Sequence, residues 1–245
     1  MKKVWMYLII TLSGLAVSCS VEVNAPYEDD LVSLSNFDDA TVDDWIVGFA
    51  QYPAGLEDSF KLSYRIGDFV TFNSESKSLI LRGKNLNNDL FMFVKGEISG
   101  FEPDTYYDVI VDVELSSILL ETYEEIDQGS ELSGSYLKVG AMTKEPKVDI
   151  MPAFENSTLL VAELDINIGI EYEGSLNIVN LGKLVYSEVG SEPVVLRGFN
   201  SDDPIRTKTN SEGKLWLLIG IDSNHPVYQD VYINFIGGRY RKVAS

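Results

Sequence analysis

An all-β fold, a β-sandwich or jelly roll, is what this 245-residue sequence predicts, and three observations carry it. Most patterned segments alternate apolar and polar residues with a period of two, which places successive side chains on opposite faces of a strand. Turn clusters of Gly, Asn, Asp and Pro separate those segments at fairly even spacing. Helical patterning is confined to one short acidic stretch, Ile118 to Asp127. Many short strands with turns between them and almost no helix read as a two-sheet sandwich.

Taken in order, the chain opens on Lys2 and Lys3 and then on the uncharged apolar run Val4 to Val17. A bilayer-spanning helix needs about 20 apolar residues, so this run fits a secretory signal peptide over residues 1–18. Residues 19–30, with Asn24-Ala25-Pro26 and Glu28-Asp29-Asp30, read as an acidic tether. Residues 31–245 read as one β-sandwich domain, since no break in composition and no repeat divides them. Trp45 to Ala50 is the first strand of that body. Leu79 to Leu81 follows, and then Leu90 to Val94, which is apolar on both faces and suits a central strand. Tyr107 to Leu115 alternates most clearly, with Tyr107, Val109, Val111, Val113 and Leu115 on one face against Asp108, Asp112 and Glu114 on the other. Further strands are expected at Tyr136 to Ala141, Leu159 to Ile166, Leu181 to Tyr186, Val194 to Phe199, Leu215 to Ile221 and Val231 to Ile236.

Composition excludes several functions. There are 38 acidic residues against 19 Lys and Arg, a net charge of −19. Ser20 to Phe60 and Gly96 to Tyr136 contain no base at all, and the one basic cluster is Arg239-Tyr240-Arg241-Lys242. Nucleic acid is therefore not a partner, because its phosphates must be neutralised by Lys or Arg, and a bare anionic lipid surface is disfavoured likewise. Cys19 is the only cysteine, so no disulfide supports the fold, and a core of this size does not need one. One His and one Cys exclude the usual zinc sites. His225 lies in a turn before Pro226 and no G-x-S-x-G elbow is present, which argues against a serine hydrolase. No phosphate loop or dinucleotide fingerprint occurs.

Two kinds of site stay open. Asn85, Asn87 and Asp89 put side-chain oxygens at alternate positions of a loop, and Asp202 and Asp203 sit together in another. Either loop has the oxygen donors of a structural calcium site, although Asn and Asp in such loops more often cap turns. Aromatic side chains at strand ends are the platforms on which sugars are bound, with polar groups at the rim. Tyr123, Tyr228 and Trp216, with the carboxylate of Asp222, are the candidate ligand contacts, although Trp45 and Trp216 lie in strand patterns and aromatics there are more often core. These readings favour a non-catalytic module for glycan. A structural or adhesive envelope protein that binds another protein is the alternative, and a glycoside hydrolase using one of many carboxylate pairs is the third.

Leu15-Ala16-Val17-Ser18-Cys19 resembles a bacterial lipobox, with Leu one position earlier than usual. That resemblance implies cleavage before Cys19, acylation of its thiol, and attachment to a lipid bilayer in the bacterial envelope, the outer membrane foremost. Two acyl chains suffice for stable anchoring. Plain secretion with a free thiol and an uncleaved anchor are the rival readings, since Ala16 and Ser18 also suit the ordinary signal peptidase. Phe37-Asp38-Asp39, Trp45, Gly48 to Pro53, Gly83-Lys84-Asn85, Asn88 to Phe93, Gly100 to Tyr107, Gly213 to Trp216 and Gly220 to Ser223 together resemble a family of uncharacterised bacterial secreted proteins and lipoproteins. The resemblance spans roughly residues 35–236. It implies a jelly roll similar to galactose-binding-like domains, with no chemistry attached. The chain departs from that pattern at Asn224-His225-Pro226, where a Gly-rich turn is expected.

Overall fold

The computed structural model describes residues 30–42, 45–68, 76–121, 134–170, 173–187, 191 and 193–244. These form strands β1 (Leu31–Asn36), β2 (Ile46–Ala50), β3 (Tyr52–Pro53), β4 (Ser63–Asp68), β5 (Lys77–Lys84), β6 (Leu90–Ser99), β7 (Tyr106–Leu119) and β8 (Ser135–Met142). They continue as β9 (Val148–Pro152), β10 (Leu160–Leu164), β11 (Ile178–Lys183), β12 (Tyr186–Ser187), β13 (Val195–Phe199), β14 (Ile205–Lys208), β15 (Lys214–Ser223) and β16 (Tyr228–Lys242). The fold is an all-β sandwich, as the alternation predicts.

One sheet runs β4-β5-β16-β7, with β1 continuing the β5 edge of β16 and with β12, β13 and β14 lining the far edge of β7. The second runs β2-β6-β15-β8-β11, and a small third sheet joins β3, β10 and β9. The long strands β5, β6, β7 and β8 alternate between the two large sheets, as do β15 and β16, which is jelly-roll connectivity. Between the sheets lies the main core. Leu79, Leu81, Val109, Val111, Val231 and Ile233 face Met92, Val94, Leu137, Val139, Leu217 and Ile219 across it, all at or near zero exposure.

The outer face of the second sheet is also covered. Phe91, Phe93, Met142, Leu218 and Ile178 form a second apolar layer against Leu164 at the end of β10 and Ile166 and Ile168 just after it. Glycine is what lets the rings lie flat there. A Cβ at Gly48 would fall 2.2 Å from the Phe93 ring, and one at Gly220 2.0 Å from Phe91.

Several expectations shift. Ile118 and Leu119 continue β7 instead of starting a helix, because Ile118 packs outward with Ile80 and Tyr232 while Leu119 is buried with Tyr186 and Val227. The rest of that acidic stretch, from Thr122, lies outside the described residues. The expected strand Leu181 to Tyr186 is two strands in different sheets. The chain bulges at Gly182 (φ 115°), β11 ends at Lys183, and β12 then pairs in parallel with β7. Strands β1, β3, β4, β9 and β14 have no clear sequence signal: β1, β4 and β9 are exposed along most of their length, while β3 and β14 are only two and four residues long.

Candidate functional site

At one end of the first sheet, β4, β5 and β16 place three residues side by side. Ser63 is opposite Arg82, and Arg82 is opposite Asp230. One step further, Lys84 is opposite Tyr228. Period-two geometry turns Tyr228, Asp230 and Tyr232 outward while Gln229, Val231 and Ile233 go to the core. Asp230 is 1% exposed. It accepts two hydrogen bonds from Arg82, Nε to Oδ1 and Nη2 to Oδ2, each 2.6 Å, and Nη2 of Arg65 lies 3.6 Å away. The carboxylate raises the Arg82 pKa still further above its ordinary value, against a smaller opposing effect of burial. This bidentate pair fixes the guanidinium 5.9 Å from the centre of the Tyr228 ring. Nζ of Lys84 stands 5.7 Å from the same ring and donates to both oxygens of Glu121.

The wall opposite is the turn between β3 and β4. Phe60 is buried as its plug, 5.7 Å from the Tyr52 ring, and its carbonyl accepts the Lys84 N–H. Lys61 takes the left-handed backbone region (φ 56°), which aims the chain back towards β4. Glu57 accepts the Gly55 N–H and the Tyr52 hydroxyl. Backbone N–H groups, its own first and then that of Gly55, hold the Glu57 carboxyl below its usual range. Burial, with Glu57 alongside, pushes the Tyr52 phenol up. Between wall and sheet lies an open cleft of about 520 Å³, lined by Glu57, Asp58, Lys61, Leu62, Ser63, Arg82 and Tyr228.

The other residues singled out from the sequence are not at this cleft. Trp216 faces outward on β15, half-buried, with Nζ of Lys95 at 5.8 Å from its ring. Lys95 in turn donates to Glu145 and to the Pro146 carbonyl. Asp222, six residues along the same strand and so about 20 Å away, pairs with Lys138 at 2.6 Å. Both are buried, and Lys138 also donates to the carbonyls of Ile168 and Ile170. That arrangement straps the segment after β10 over the second sheet. Tyr123 and Cys19 lie outside the described residues.

Asn85 is buried, donates to the Ser223 and His225 carbonyls, and accepts the N–H groups of Asn87 and Asp89. Asn87 donates to the Gln51 carbonyl, and Asn88 takes a positive φ of 61°. These contacts are turn chemistry. Asp202 and Asp203 sit exposed in a turn closed by Asn200, which donates to the Asp203 and Val109 carbonyls and accepts the Val111 N–H. Among the described residues, no group of three or more His, Cys, Asp or Glu is placed to hold a metal ion.

Arg82, Asp230 and the 57–63 wall have no local signature; only the outward alternation of Tyr228, Asp230 and Tyr232 hints at them. A second cleft, of about 420 Å³, lies where Gln51 and Met151 meet Glu163, Asp165, Ile166 and Asn167.

No family model matches the chain, and no curated protein matches it. Among solved structures, it is similar to a carbohydrate-binding module described for specific mannan recognition, at 12% identity over 87% of this chain and 99% of that one, TM-score 0.39. A putative sugar-binding protein from Bacteroides thetaiotaomicron VPI-5482 aligns at 9% identity over 85% and 92%, TM-score 0.39. The enzymatically active domain of a bacteriophage CBA120 tailspike protein aligns at 8% identity over 82% of this chain, which spans 20% of that one, TM-score 0.35.

Proposed function

We propose that the protein is a non-catalytic binding module that takes glycan in the Tyr228 cleft and is tethered to the bacterial envelope, at the outer membrane, through acylated Cys19. The observation that carries the binding reading is the pairing of a half-buried aromatic ring with a fixed polar rim. A sugar ring has apolar C–H faces and hydroxyls around its edge. Tyr228 offers the flat surface, Arg82 and Ser63 offer donors, and Glu57 and Asp58 offer acceptors. Because Asp230 and Phe60 fix the two sides of the cleft, little ordering is left for the ligand to drive. Glu57, held as the carboxylate, suits accepting a hydroxyl and not the general-acid role of a glycosidase.

The polarity of β16 fits a tethered role. Tyr228 begins the strand, whereas Leu31, next to the tether, pairs with Tyr240 near its other end. Twelve residues of strand put the cleft about 40 Å from that attachment point, which leaves it clear of the tether. The protein-binding alternative draws on the β9–β10 hairpin, where Ile150, Phe154, Leu159 and Leu160 are each about half exposed or more.

The test is a glycan array followed by calorimetry on purified protein. Saturable oligosaccharide binding, lost in Tyr228→Ala and Arg82→Ala variants that keep the wild-type melting curve, supports the reading. Absence of binding across the array, with an envelope protein captured through the hairpin instead, overturns it.

A further inference from the structure

We infer that the Tyr228 cleft selects uncharged glycans and discriminates against uronate-bearing or sulfated ones; this rests on the cleft being a glycan site. The reason is how its cations are held. An arginine beside an aromatic ring would ordinarily clamp a ligand carboxylate with two parallel N–H bonds. Here the Nε and Nη2 edge of Arg82 is already occupied by the buried carboxylate of Asp230. The guanidinium has five N–H groups, so its remaining donors meet the cleft with their charge balanced from behind. Nζ of Lys84 is likewise bound to both oxygens of Glu121. Lys61 shares its turn with Glu57 and Asp58, which face the same space. Arg65 shares Asp230, so the cations Arg65, Arg82, Lys84 and Lys61 are matched by the carboxylates Asp230, Glu121, Glu57 and Asp58, and the cleft offers hydrogen bonds in both senses without a surplus of positive charge. Around it, a chain of net charge −19 repels a polyanion before contact.

A neutral polyol is the ligand that loses nothing in this setting, since its hydroxyls donate to Glu57 or Asp58 and accept from Arg82. A uronate would add a carboxylate to a cleft whose arginine fork is taken, beside carboxylates already present. That costs affinity through like-charge contact and desolvation.

The experiment measures full-length protein against neutral gluco-, manno-, xylo- and galacto-oligosaccharides, and against oligogalacturonates and sulfated oligosaccharides of matched length. The expected result is binding to a neutral member that requires Tyr228 and changes by less than about twofold between low and about 0.5 M salt. Asp230→Asn, which unbalances Arg82, is expected to shift preference towards the oligogalacturonate by about tenfold. If that variant does not fold, the salt titration of the wild type decides alone. Tyr228-dependent binding of an acidic glycan in preference to the neutral ones, weakening steeply with salt, overturns the inference and leaves the glycan site standing. Failure to bind either class overturns both.

Discussion

At the scale of single residues, the structure separates side chains that maintain the fold from those that line the open cleft. Asp222 belongs to the first kind. Its partner Lys138 has a fully buried side chain, so Asp222→Ala leaves an uncompensated charge and is expected to cost about 3–5 kcal/mol. The check is a lower denaturant midpoint at unchanged slope. Tyr228→Ala is expected to abolish glycan binding with little change in that midpoint, since its side chain is only half-buried. Two buried phenols set the alkaline limit. Tyr186 and Tyr240 are pushed up to about 12 by burial, while Ser135 and Ser33 respectively hold the two hydroxyls. The folded state thus keeps these groups neutral to higher pH than the unfolded chain does. Their contribution is complete below pH 10 and disappears as pH rises through about 12. Denaturant titrations across that window should show the loss, and Tyr240→Phe should reduce it.

At the scale of elements, β15 and β16 show what alternation can and cannot reveal. Leu215, Leu217, Ile219 and Ile221 are buried in the main core as the pattern requires, and so are Val231 and Ile233. What alternation does not reveal is the destination of the other face. On β15 that face carries Trp216, Leu218, Gly220 and Asp222 beneath a second apolar layer. On β16 it carries Tyr228 and Asp230 towards the cleft. Gly48 and Gly220 read in sequence as weak points of their strands, yet each leaves room for a phenylalanine ring. Replacing either by Ala should cost about 1–3 kcal/mol through forced displacement of Phe93 or Phe91, visible as a lowered Tm. Strands β4, β9 and β14 were not legible because their partners, not their own patterns, make them strands: β4 follows β5, β9 follows β10, and β14 follows β7.

At the scale of the whole molecule, charge and topology act together. The outward face of the first sheet carries cross-strand ion pairs, Arg197 with Asp112 and Arg206 with Asp108, both bidentate. Divalent cations are not expected to contribute to stability, because the Asn85 and Asn200 amides are already bonded to backbone groups. Chelation with EDTA should leave Tm unchanged; a fall of several degrees would overturn this expectation. For the tether, Cys19→Ser should release the protein from the membrane fraction, and unaltered partitioning would remove the lipid from the proposal.

The sequence alone determined the all-β class and the inward faces of the long strands, since both follow from local period. Only the tertiary structure decided which residues line the cleft. Arg82 and Asp230 are 148 positions apart and Glu57 is farther still from Tyr228, so no local rule links them. Their meeting depends on β16, the last strand, returning beside β5. Long-range strand pairing fixes such neighbours through the register of backbone hydrogen bonds, and register is a property of two strands together.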